Sequence, residues 1–399
     1  MRRFRDTPFL LVVFEAQRAA LFPMAILTIF WQRQVGLSML QIMVVQCVFS
    51  ISQVAFELPA GMLSDRFGYR RCLAFAAVLM FAGSVGYCFT SSLAGVLIAE
   101  LVLGAAAALV SGTDLALLYE SLLRGDREAD FAVWAARRQS IGQAAEGFAA
   151  LLAGWVYSFS PRLPFLLQAG LWLSALWVVL RMNEPLRPAP AQDGGVRVRR
   201  ALSRMVREVA ISNPALRAVV AMTVVLGLSV FIPVWYIQIH AVNSGLPMTW
   251  LGPFWCLANL AVAAGALASR SIDRRLGLSR ALLLCWVLGT CSYLGLGLVP
   301  TVWGGLFYFG LTFMRGVFEP MLHHREQRLL PSGERAAYIS LRNWVFRIAF
   351  LICGPPVGWA LDVLGARNVS VGLGLALLAI SFPLWLHMSR LRLPVGGVR

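Results

Sequence analysis

Six charged residues stand well inside runs that are otherwise long and apolar: Glu15, Arg18, Glu100, Glu146, Arg315 and Arg347. Glu15 and Arg18 are three apart, so on a helix they share a face and can pair. Glu146 and Arg315 fall near the middle of their runs, Arg347 about a third of the way into its own, and Glu100 nearer one end. If such runs cross a bilayer, a charge at the centre costs ~2.5–3.5 kcal/mol on insertion scales and needs a partner or a task. Arginine keeps its proton in proteins. Taking up and releasing a proton therefore falls to Glu15, Glu100 and Glu146, and a nearby arginine or an approaching substrate would tune it. Taken singly, each reads as well as a permanently paired structural charge.

A second set, Glu57, Asp114, Glu120, Glu319 and Arg342, lies toward the ends of the runs, where pairing with neighbouring arginines is the expected role. His323, His324 and Glu326 could gather a metal, but a solvated loop is the simpler reading. The seven cysteines are scattered without paired metal-ligand spacing, so neither metal nor cofactor is expected. Nothing sets a nucleophile beside a base or cradles a phosphate, so an enzyme is not expected.

The elements that must hold these charges are set by hydropathy. Of the 399 residues, 59% are hydrophobic and 14% charged, with a mean hydropathy of +0.71. Soluble domains carry roughly 25% charged residues. A membrane span needs ~20 mostly apolar residues. Runs of that kind fall at about 8–31, 39–61, 72–91, 93–120, 134–158, 163–181, 217–240, 248–269, 281–299, 302–323, 338–361 and 369–388. None alternates apolar with polar, as the strands of a membrane barrel would. The chain thus reads as an all-α membrane protein of about 12 transmembrane helices. The first run follows Met1-Arg2-Arg3-Phe4-Arg5-Asp6 and contains Glu15 and Arg18, so it reads as a span rather than a cleaved leader.

All 35 basic residues are arginine, and the formal net charge is +16. Loops on the cytoplasmic side of membrane proteins collect Lys and Arg. With the N-terminus inside, 28 arginines fall on the cytoplasmic side, three (Arg33, Arg162, Arg367) outside, and Arg18, Arg315, Arg342 and Arg347 within spans. The split places both termini and the central loop in the cytoplasm, in a cell (inner) membrane. The basic charge is thus a topology signal, not a footprint for nucleic acid. The central stretch, rich in Pro, Gly and Arg, divides the chain into a six-helix half at 1–182, a basic linker at 183–216 and a second six-helix half at 217–399. Arg197–Arg207 has an amphipathic spacing suited to the bilayer surface.

After the second run the chain reads Gly61-Met-Leu-Ser-Asp65-Arg66-Phe-Gly68-Tyr-Arg70-Arg71. This resembles the signature between helices 2 and 3 of the major facilitator superfamily. A degenerate, longer copy, Gly265 to Gly277, occupies the equivalent place in the second half. Phe56–Gly61, Ser111–Glu120, Arg335–Ser340 and Gly354–Trp359 are similar to stretches in a branch that contains many bacterial exporters. Two exporter features differ. Glu100 stands where proton-coupled drug exporters often carry Arg, and helix 5 has Gly142, Gly147 and Gly154 but no Gly-Pro pair.

The resemblance implies two pseudo-symmetric halves of six helices and alternating access, with Gly61, Asp65, Arg66, Gly68, Arg70 and Arg71 gating the cytoplasmic side. It also implies that helices 1, 4, 7 and 10 line a central cavity, exposing Arg18, Glu100 and Arg315. The expected activity is proton-coupled efflux of a small amphipathic organic compound by a monomer in a lipid bilayer. The alternatives are proton-coupled uptake of an organic anion, or a receptor or lipid-handling protein without transport.

Overall fold

The computed structural model describes residues 6–185, 206–209, 213–329 and 335–390. Most of the 183–216 linker, including Arg197–Arg204 of its basic stretch, lies outside the described residues. Among the described residues there are helices and turns and no strand.

In chain order the helices are α1 (Thr7–Ala19), α2 (Leu27–Phe30), α3 (Met39–Phe67), α4 (Tyr69–Phe89), α5 (Leu93–Val110), α6 (Thr113–Arg124), α7 (Phe131–Phe159) and α8 (Leu163–Arg181). Then follow α9 (Pro214–Val234), α10 (Ile237–Asn243), α11 (Leu251–Leu298), α12 (Tyr308–Leu329) and α13 (Arg335–Arg390). Gly277 interrupts α11 and Gly365 interrupts α13, so each is two helices meeting at a one-residue joint. With those two counted as two helices each, and α1–α2, α5–α6 and α9–α10 each counted as one broken span, the described residues hold twelve spans.

Three spans are broken where the apolar run is continuous. The first stops at Ala19 and resumes at Leu27, across Pro23, which has no N–H to offer a helix. The fourth breaks at Ser111–Gly112, and the seventh at Trp235–Tyr236, just past Pro233. The expected loop between spans two and three is, by contrast, almost wholly helical. Gly61, Asp65 and Arg66 sit in the last turns of α3, Arg70 and Arg71 begin α4, and Gly68 alone is the joint. Its φ of 96° and ψ of 156° lie in a region open essentially to glycine only.

Among the described residues seven segments are long and apolar enough to cross a membrane, and Met248–Leu298 and Tyr338–Arg390 among them hold two helices each. α1, α7 and α12 are not in that set. α1 has 13 residues, and all three carry several charges within their sequence. These three helices bring charge into the protein, as do α5 and α6 with Glu100 and Asp114.

The chain forms two compact units. One comprises residues 1–37, 44–192 and 247–256; the other comprises 38–43, 193–246 and 257–399. In the first, α4 packs on α5 and α8, and α1 on α7 and α8. Its core sets Phe14 and Trp172 against Leu73, Leu117 and the small side chains of Ala76, Ala77 and Ala175. Small residues let helix backbones come close, which is how dispersion rather than water-driven burial holds membrane helices together. In the second unit α9 packs on α12 and α13, around Leu216, Val220, Tyr338 and Leu341.

Candidate functional site

The first unit gathers four charges from three helices. Arg18 of α1 donates through Nε and Nη2 to both oxygens of Glu15, at 2.9 and 2.6 Å. Arg138 of α7 donates through Nη1 to Glu15 Oε2 at 2.9 Å and to Asp114 Oδ2. The Gly112 break sets Asp114 in the first turn of α6, where its Oδ1 accepts from the Leu115 N–H at 2.7 Å and the helix N-terminus favours its charge. α7 reaches Glu15 because Gly142, one turn beyond Arg138, leaves no side chain in the way; a Cβ there would stand 3.0 Å from the Glu15 carboxylate. Glu15 and Asp114 are both nearly buried, at 6% and 5% exposure. Two acids and two arginines make the cluster formally neutral, which is what lets it persist away from water. Glu146, half-buried further along α7, is near enough for its charge to act on Arg18.

Glu100 is handled differently. It is buried on α5 and accepts a 2.5 Å hydrogen bond from the hydroxyl of Tyr87 on α4. Tyr87 is stacked on Phe165 with ring centroids 4.9 Å apart and packs beside Trp31 and Phe30. Among the described residues no cation pairs with Glu100, which sits against a phenol in an aromatic wall.

The second unit repeats part of the first cluster. Glu326 of α12 is fully buried and accepts from Arg342 Nη1 of α13 at 2.7 Å and from the Thr223 hydroxyl of α9 at 3.2 Å. The reading of His323, His324 and Glu326 as a solvated loop is thus corrected at Glu326. α12 runs on to Leu329, and α9 and α13 cover that face of it, while the two histidines remain exposed. Among the described residues no three side chains form a metal-binding group. Arg315 and Glu319, one turn apart on α12, pair at 2.9 Å with both side chains about half exposed. Arg325 donates to both oxygens of Asp273 at 3.0 and 3.1 Å, joining α12 to the degenerate motif copy in α11. Arg347 is half-buried on α13, as is Glu57 on α3 and Glu120 on α6.

At the α3–α4 joint, Asp65, Arg66 and Arg71 are exposed and Gly68 is buried. What buries it is Glu184, just beyond α8. The Glu184 carboxylate accepts from the Tyr69 and Arg70 amides at 2.8 and 2.7 Å, and a Cβ on Gly68 would fall 2.7 Å from it. The motif's glycine is therefore also where a carboxylate caps the start of α4.

The geometry is that of charged clusters held inside two helical units, with a glycine joint at the motif. Residues 9–353 match the sequence profile of the Major Facilitator Superfamily. The chain belongs to the Major Facilitator Superfamily. Solved members share its fold. A nucleoside transporter, NupG, aligns with a TM-score of 0.78 at 12% identity, covering 98% of this chain and 100% of that one. An auto-inhibited POT family peptide transporter aligns with a TM-score of 0.78 at 15% identity, covering 99% of each. An uncharacterized transporter of Buchnera aphidicola subsp. Schizaphis graminum (strain Sg) is 32% identical over 80 residues. That match spans about a fifth of each chain. As a member of this superfamily the protein is a multi-pass membrane transporter of a small molecule.

Of the residues singled out in the sequence, the structure brings together Glu15, Arg18 and Asp114 in one cluster, Arg315 with Glu319 in a second and Arg342 with Glu326 in a third. Three partners lie outside the sequence-derived set: Arg138, Tyr87 and Glu184. Arg138 counts among the loop arginines by charge, although it lies within the 134–158 run, and α7 carries it to Glu15. Its only sequence signal is the spacing to Gly142.

Proposed function

We propose that this transporter is driven by protons, that Glu100 is its proton site, and that it exports a small amphipathic organic compound by alternating access. The observation that carries the reading is the Glu100–Tyr87 pair. A carboxyl buried without a cation holds a charge only at high cost, so exchange of its proton must accompany opening of that pocket to water. Glu15 and Asp114 already share two arginines, and their cluster serves to set how α1, α6 and α7 are placed. The protein would act as a monomer in the inner membrane with both termini and the 183–216 linker in the cytoplasm, on the arginine count given above. The exporter-like stretches Phe56–Gly61 and Ser111–Glu120 favour export. Uptake is the second reading, favoured by the nucleoside and peptide transporters whose fold this chain shares.

Proteoliposomes with an imposed pH gradient test the proposal, using labelled nucleosides, dipeptides and fluorescent organic anions as probes. A transported probe should accumulate against its gradient when protons flow the other way for export, or the same way for uptake. Glu100→Gln should keep exchange of probe across the membrane while losing gradient-driven accumulation. Transport indifferent to the pH gradient would sink proton coupling.

A further inference from the structure

Besides the degenerate copy at Gly265–Gly277, the α3–α4 motif recurs within α13. Gly61-x3-Asp65-x2-Gly68-x-Arg70 recurs with the same spacing as Gly358-x3-Asp362-x2-Gly365-x-Arg367. The backbone agrees with the spacing, since Gly365 adopts φ 78° and ψ 158°, close to the 96° and 156° of Gly68. Both joints need glycine.

Asp362 has a specific partner. Its two oxygens accept from the amides of Met39 and Leu40, at 2.7 and 2.9 Å. These are the first two residues of α3, and the accounting of that helix start is complete. Ser38 and Gln41 satisfy each other's amides through their side chains, at 3.0 and 3.3 Å, which leaves the Met39 and Leu40 amides for a carboxylate from elsewhere. Gly358, one turn before Asp362, permits the approach: a Cβ there would meet Leu40 Cα and Met39 O at 2.8 Å. Arg367 fixes the far side of the joint by donating through Nε to the Gly297 carbonyl at 3.1 Å, near the end of α11. Ser38–Met43 accordingly clusters with the second unit, although the rest of α3 belongs to the first.

α3 has 29 residues, so its first and last turns lie about 40 Å apart along the helix. Asp362 engages the first turn and Asp65 stands in the last. We propose that Gly358, Asp362, Gly365 and Arg367 form a second latch, at the face opposite the Gly61–Arg71 motif, which grips the start of α3 and is released once in each transport cycle. The two copies then act in opposition, one holding each face. The proposal rests on the alternating-access reading given above.

Amide hydrogen exchange of the full chain in lipid nanodiscs tests it without any substrate. In Asp362→Asn, exchange of the 38–43 peptide should quicken about tenfold through loss of the charge–amide contact. The 61–71 peptide should at the same time become better protected as the opposite face closes. Asp65→Asn should give the reverse pattern, and Asp362→Glu should stay near wild type. Gly365→Ala, which blocks the joint, should reproduce Asp362→Asn and serves if that variant does not fold. Unchanged exchange at 38–43 would overturn the contact. Faster exchange at 38–43 with 61–71 unaltered would make Asp362 a local helix cap and overturn the latch. Reciprocal exchange in a protein that moves no probe in proteoliposomes would instead count against the transport reading.

Discussion

The two units solve one problem with different numbers of charges. In each, an acid from the fourth span is held by an arginine from the fifth: Asp114 by Arg138 in the first unit, Glu326 by Arg342 in the second. The first span of each half then contributes unequally. α1 brings an ion pair, Glu15 with Arg18, whereas α9 brings one hydroxyl, Thr223. One arginine in the first unit therefore serves two carboxylates, and one in the second serves a single carboxylate. The first unit also contains Glu100, which has a phenol for a partner and, among the described residues, no cation. The difference is one of charge balance: the second unit's acid is closed in a pair with one arginine, while the first unit shares one arginine between two acids and sets Glu100 against a phenol.

Substitutions can break this comparison. The largest effect is expected at Arg138, whose replacement leaves two nearly buried carboxylates without their shared donor. Arg138→Met should lower stability by about 3–5 kcal/mol, read as thermal unfolding in detergent. Arg342→Met should cost roughly half as much, because it strands one acid, which keeps its hydroxyl partner Thr223. Equal losses would remove the asymmetry. Glu326→Gln is the next smaller change; exchanging a charged acceptor for a neutral one beside Arg342 should cost about 1 kcal/mol and leave proton coupling intact. A loss of coupling there would move the titrating site to the second unit. The smallest effect belongs to Arg315→Ala. Its partner Glu319 is as exposed as itself, and stability should shift by no more than about 0.5 kcal/mol.

Much of this fold was legible in the sequence because hydropathy is a local property. Each apolar run is helical, three of them with a break, and Leu163–Arg181 matches its run at both ends. The motif glycine was legible for the same reason, as a fixed offset from Asp65 and Arg70. Contacts between distant residues were not. Glu184 lies 115 residues from Tyr69, and nothing in Asn183-Glu184-Pro185 announces that its carboxylate caps a helix. Tyr87 is one aromatic among many, and only the packing of α4 on α5 turns it toward Glu100. Glu326 misleads because His323-His324-Arg325-Glu326 reads as a polar helix end, while three helices converge to exclude water from that one carboxylate. The copy at Gly358–Arg367 carries the same spacing as the motif but has Val363 where Arg66 stands, so it lacks the basic run that marks the original.

The central claim is that a protonated carboxyl sits in the first unit at Glu100. Infrared difference spectroscopy of the purified protein in lipid, titrated through neutral pH, reads protonated carboxyl groups directly and needs no substrate. The account predicts a protonated-carboxyl band that titrates in the wild type, survives in Glu326→Gln and is missing from Glu100→Gln. A band that is the same in wild type and Glu100→Gln would contradict it.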